Sequence, residues 1–131
     1  MNKNCTSLEQ SQKLAEILPI ESADMCFNIS QRSNMPPLMT PYSKFNEFFN
    51  METPDFLIPC WSLSALLDVI NQVKEINHQR VTILVGRYAG GRWYVETLRV
   101  QDEKSVVLEY SKELVDACYE MILRLHEQKL L

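Results

Sequence analysis

The sequence predicts an α+β fold in one domain, 1–131: a small antiparallel β-meander of three to four strands covered by N-terminal, central and C-terminal helices. Three observations carry this expectation. Apolar residues recur at helical spacing in three separate segments, and two β-branched and aromatic runs flank a double glycine. All six prolines precede residue 60, whereas all three glycines lie between Gly86 and Gly91, so the two halves use different turn chemistry within one chain.

In chain order, Thr6 and Glu9 have the spacing of a capping box, in which each side chain satisfies a backbone donor at a helix start. A helix is expected from about Ser7 to Leu18, striped by Leu8, Leu14, Ala15, Ile17 and Leu18 and ended by Pro19, which lacks an amide donor. From Ala23 to Ile29, Met25, Phe27 and Ile29 share one parity and predict a short strand. Thr40-Pro41 resembles an N-cap followed by proline at the first helical position, which predicts a short helix through Phe49; Phe56 to Ile58 suits an edge strand.

Ser62 is placed to cap a helix whose Leu63, Leu66, Leu67, Ile70 and Val73 form one apolar face. Val81 to Val85 and Trp93 to Val100 then predict a β-hairpin around Tyr88-Ala89-Gly90-Gly91-Arg92. A two-residue loop would pair Val85 with Glu96 and a three-residue loop would pair it with Val95; the two registers put opposite side chains on the buried face. Val106, Leu108 and Tyr110 alternate with Val107 and Glu109, which extends the hairpin to a third strand. A last helix is expected from about Lys112 to Gln128, with Leu114, Cys118, Met121, Ile122 and Leu125 inward.

Composition narrows function. The chain is 46% hydrophobic and 23% charged, which suits a folded domain and argues against disorder. Its net charge of -4 gives no global positive field for nucleic acid or an anionic membrane. No apolar run approaches the roughly 20 residues of a membrane helix, and no secretory or transit pattern opens the sequence, so a cytoplasmic location without membrane attachment is expected. Cys5, Cys26, Cys60 and Cys118 show no metal-ligand spacing and read as reduced thiols, and no cofactor or metal is implied.

Three constellations remain. From His78 to Val100, four arginines oppose Glu96, a local balance of +3 interleaved with aromatics. Arg87, Tyr88, Arg92 and Trp93 could therefore grip phosphates and stack on unpaired bases, although aromatic cross-strand packing with arginine on the outer face explains the same residues without a ligand. Met39, Phe45, Phe48 and Phe49, within a Met/Phe-rich stretch that continues to Trp61, could bind a protein partner or a second copy of the chain, or form a second core layer. Cys60, just before the Ser62 helix, is the one thiol placed where a helix start could activate it; Cys26 and Cys118 lie on apolar faces, and His78 and His126 have no spacing relation to a nucleophile.

Thr6–Met25 (TSLEQSQKLAEILPIESADM), Ile58–Ile70 (IPCWSLSALLDVI) and Val115–Leu131 (VDACYEMILRLHEQKLL), about two fifths of the chain, resemble in order a family of short uncharacterised proteins of Bacteroides-type gut bacteria and their phages or mobile elements. Similar sequences often enter the last helix through Asn-Pro, where this chain has Glu113-Leu114. The resemblance implies a cytoplasmic accessory protein and supplies no catalytic residue. The expectation is a non-enzymatic interaction protein, with nucleic-acid binding through the 80–100 hairpin as the alternative.

Overall fold

The computed structural model describes residues 3–28 and 57–131, and side chains within these ranges except that of Asn28. Among them the fold is α+β, with three helices and two antiparallel sheets, and no helix is long and apolar enough to cross a membrane. The chain divides into two compact units, Cys5–Ala65 and a second made of residues 1–4 with Leu66–Leu131. The expected helix through residues 40–49 lies outside the described residues, as do Met39, Phe45, Phe48 and Phe49.

In the first unit, helix α1 (Leu8–Ala15) packs on strand β2 (Leu57–Cys60), which pairs antiparallel with β1 (Met25–Asn28), Cys26 opposite Pro59. The edge strand expected at 56–58, whose Phe56 lies outside the described residues, is present as β2, in a two-stranded ribbon with β1 rather than in the meander. Proline is tolerated there because each strand of a ribbon keeps one unpaired edge. On β1 both Met25 and Cys26 are buried, Cys26 with no exposed surface, while Phe27 is half-buried, so burial does not follow the Met25 and Phe27 parity alone; Ile29 lies outside the described residues.

The helix cap also shifts by one residue. Ser7, not Thr6, caps α1: its hydroxyl accepts the Gln10 amide N–H at 3.2 Å and the Gln10 side chain accepts the Ser7 N–H at 3.0 Å. Thr6 is needed elsewhere. Its Oγ1 lies 2.7 Å from Ser11 Oγ and accepts the Trp61 N–H at 3.2 Å, and its own N–H donates to the Trp61 carbonyl at 2.9 Å. The buried stripe is therefore Ser11, Leu14 and Leu18, with Leu8 exposed, and regular helix ends at Ala15.

Helix α2 (Leu63–Ile70) begins as expected at Ser62, whose Oγ accepts the Ala65 N–H at 3.2 Å. Asp24 holds the cap in place, accepting the Ser62 N–H at 2.9 Å and the Ser62 hydroxyl. The buried positions are Ala65, Leu66, Val69 and Ile70, with Leu63 and Leu67 only half-buried. Ser64 and Asp68 mark the outward side, and the arc opposite them centres on Leu66 and leaves Leu63 and Leu67 at its margins.

The second unit is a meander of β3 (Glu75–Ile76), β4 (Gln79–Arg87), β5 (Trp93–Arg99) and β6 (Ser105–Ser111), in that spatial order, followed by helix α3 (Leu114–Glu127). The fourth strand arises from a turn at Asn77-His78, both at positive φ (53° and 66°), the requirement of a type I′ hairpin. Val85 pairs with Val95, so the three-residue register is the one adopted. Helix α3 lies against β5 and β6 and buries Val115, Cys118, Met121, Ile122 and Leu125. Cross-strand neighbours Val95, Thr97 and Val107 are buried on the sheet face beneath it.

Candidate functional site

The β4–β5 hairpin closes because its tip accommodates glycine. Tyr88 N–H donates to the Arg92 carbonyl at 2.8 Å and Gly91 N–H to the Tyr88 carbonyl at 2.9 Å. Gly91 takes φ +91°, the left-handed step that ends a three-residue loop built on a tight turn. One row back, Gly86 faces Tyr94, whose ring lies across it; a Cβ on residue 86 would fall within that ring.

Register decides what this hairpin presents, since opposed residues share a face. Arg87 and Trp93 are opposed on the helix-covered side, with the guanidinium carbon 5.3 Å from the indole centroid. Tyr88 and Arg92 project with Tyr94 and Tyr110 on the other side. There the Tyr88 ring lies 4.8 Å from Tyr94 and 6.5 Å, edge-on, from Tyr110, and the Arg92 guanidinium is 5.6 Å from the Tyr110 centroid. The four hairpin residues singled out from sequence thus form two pairs on opposite faces.

Among the described residues, no helix or strand packs on the second face. Leu84 is 40% exposed, Tyr88 45% and Tyr110 52%, and they share it with the half-buried Tyr94, Glu96 and Leu108. Tyr94, Tyr110 and Leu84 carry this surface as much as Tyr88 does. The signal for them is parity through the hairpin once Val85 is set opposite Val95.

The positive charge of the hairpin is partly committed. Arg99 donates to Asp102 through Nη2 at 2.8 Å and Nε at 3.1 Å. Against the desolvation that opposes it, the Lys104 amide and Arg99 hold the Asp102 carboxyl below its usual value. Arg87 and Arg92 each lie on a ring, an arrangement that leaves guanidinium edges able to donate.

The thiols form no comparable site. Cys60 is fully buried; burial pushes its thiol up to about 12 despite the hydrogen bond with Thr6 Oγ1 at 3.6 Å. Burial likewise pushes Cys118 up to about 12 and raises Cys26. A helix start is near Cys60 in sequence, but desolvation of the thiolate outweighs it. His78 occupies the β3–β4 turn, and His126 Nδ1 lies 3.1 Å from the Leu131 carbonyl oxygen. Among the described residues, no three His, Cys, Asp or Glu side chains are arranged to hold a metal ion.

No family model, curated protein or solved structure matches the chain.

Proposed function

We propose that the chain is a non-enzymatic interaction protein of phage or mobile-element type, acting in the cytoplasm, that binds a protein partner through the open face of β4–β6. The observation that carries this is the three-tyrosine cluster beside exposed Leu84, on a sheet whose opposite face already supplies the core. Aromatic and aliphatic side chains in one patch suit a protein surface, where tyrosine buries area at low entropic cost. A tagged chain expressed in its producing cell should co-purify with a discrete partner that is lost with Tyr88→Ser/Tyr110→Ser and kept with the surface control Gln72→Ser. Equal recovery by the unaltered chain and both variants would contradict the proposal.

One observation favours a second reading. Arg92 over the Tyr110 ring, in a cluster that also holds Tyr88 and Tyr94, is also suited to stacking on unpaired bases. Fluorescence anisotropy with short single-stranded DNA should then show affinity that falls with salt and with Arg92→Ala. The commitment of Arg99 to Asp102 and the exposed Leu84 weigh toward protein.

A further inference from the structure

The outer edge of β4 offers a second surface, separate from the tyrosine face. Strand β3 covers only Gln79 and Arg80, and the ladder ends where Val81 N–H donates to the Lys74 carbonyl at 2.9 Å. Backbone direction alternates along a strand, so Ile83, Val85 and Arg87 turn their amide and carbonyl groups the same way as Val81, away from β5. The inward bonds fit this parity: Tyr88 N–H goes to the Arg92 carbonyl, and Val100 N–H to that of Arg80. Among the described residues, nothing pairs with β4 beyond Val81 on this side. The opposite edge of the sheet is treated differently. On β6, Arg124 Nη1 donates to the outward Leu108 carbonyl at 3.2 Å and is anchored by Glu109 at 2.6 Å.

Proteins guard free edges with charge, proline or a covering side chain, because an unpaired strand templates another. From Val81 to Gly86 the β4 edge has no charge and no proline, and Val85, on the face opposite Leu84 and the tyrosines, is exposed along it. Where β3 leaves β4, a groove of about 370 Å³ opens between Val73-Lys74 and Arg80–Ile83, lined by apolar Val73, Val81 and Ile83 together with the basic Lys74 and Arg80. Lys74 and Arg80 line the groove at one end of the edge, and Arg87, its guanidinium over Trp93, stands at the other; of the nearby carboxylates, Asp102 is taken up by Arg99 and Glu75 lies on β3. At about 3.3 Å per residue, Arg80 and Arg87 are about 23 Å apart along the strand. The geometry points to strand addition at β4 by an extended partner segment of about seven residues, apolar in alternation and carrying a carboxylate at each end. Pairing of β4 with a second copy is disfavoured by the same charges, since it brings Arg87 of one chain toward Lys74 of the other.

The probe is a fluorescein-labelled peptide of aspartate, alternating valine and threonine, and aspartate, about seven residues in all. It is compared by anisotropy with a version bearing lysines at both ends and with one N-methylated at alternate amides. The acidic peptide should bind, with affinity falling at least about tenfold for each altered peptide. It should fall similarly in Val85→Pro, which removes an outward N–H that no ladder bond uses. Lys74→Gln/Arg87→Gln, which leaves the backbone intact, should weaken the acidic peptide alone, and Tyr88→Ser/Tyr110→Ser should leave it unchanged. Absence of binding by the acidic peptide, equal binding of the acidic and basic peptides, or binding indifferent to N-methylation would overturn the proposal. So would a concentration-dependent dimer in light scattering that Val85→Pro abolishes, because the edge would then belong to a second copy.

Discussion

Thr6 shows how one residue can serve packing in preference to the local role its sequence suggests. The residue is 1% exposed and its hydroxyl joins Ser11 and the Trp61 amide, so Ser7 is left to cap α1. Thr6→Val keeps the shape but strands both partners, and should cost about 1–3 kcal/mol in chemical denaturation. Glu120 is a residue with the opposite balance. Desolvation first, then Glu109, Asp116 and Glu127, raise its carboxyl, so its ionised form is less stable in the folded chain than in the unfolded one. This penalty is present at neutral pH and is relieved as pH falls through the folded-state value. Glu120→Gln should therefore raise Tm by about 1–2 °C at pH 7, allowing for its solvent exposure, and the gain should vanish below about pH 4, where both side chains are neutral. The buried thiols give a third expectation: iodoacetamide at neutral pH should leave Cys60 and Cys118 unlabelled in the folded chain and label both in denaturant, as read by peptide mass spectrometry.

Turns decide the architecture at the scale of elements. The β4–β5 hairpin is legible because Gly90-Gly91 lies between two β-branched runs, but its register is not, since both loop lengths satisfy the same sequence and only side-chain packing at Val85, Val95 and Tyr94 separates them. Strand β3 is illegible for a different reason. Asn77-His78 lacks the glycine that advertises a type I′ turn, and His78 bears a left-handed φ of 66° that a side chain disfavours. His78→Gly should relieve that cost and stabilise the chain by about 0.5–1 kcal/mol, seen as a Tm increase of a few degrees. Helix α2 is legible in its cap, while its end at Ile70, short of Val73, and its inward arc are not, because six of its eight residues are apolar and only Ser64 and Asp68 break the pattern.

For the whole molecule, the α+β class follows from periodicity alone, whereas the candidate surface requires the register. Arg87, Tyr88, Arg92 and Trp93 are close in sequence, yet alternation across an antiparallel pair sends Arg87 and Trp93 to the helix-covered side and Tyr88 and Arg92 to the open one. Tyr110 belongs to no local motif with the hairpin tip and joins it only through the β5–β6 ladder, where it pairs with Tyr94. A surface that serves binding should be dispensable for folding, so substitutions at the exposed Leu84, Tyr88 and Tyr110 should leave stability within about 0.5 kcal/mol. The most direct test is site-specific photo-crosslinking in the producing cell from benzoylphenylalanine at position 110, with position 72 as the exposed control. A discrete protein adduct from 110 and none from 72 is the outcome expected of a docking face; no adduct from 110, or the same adducts from both positions, would contradict it.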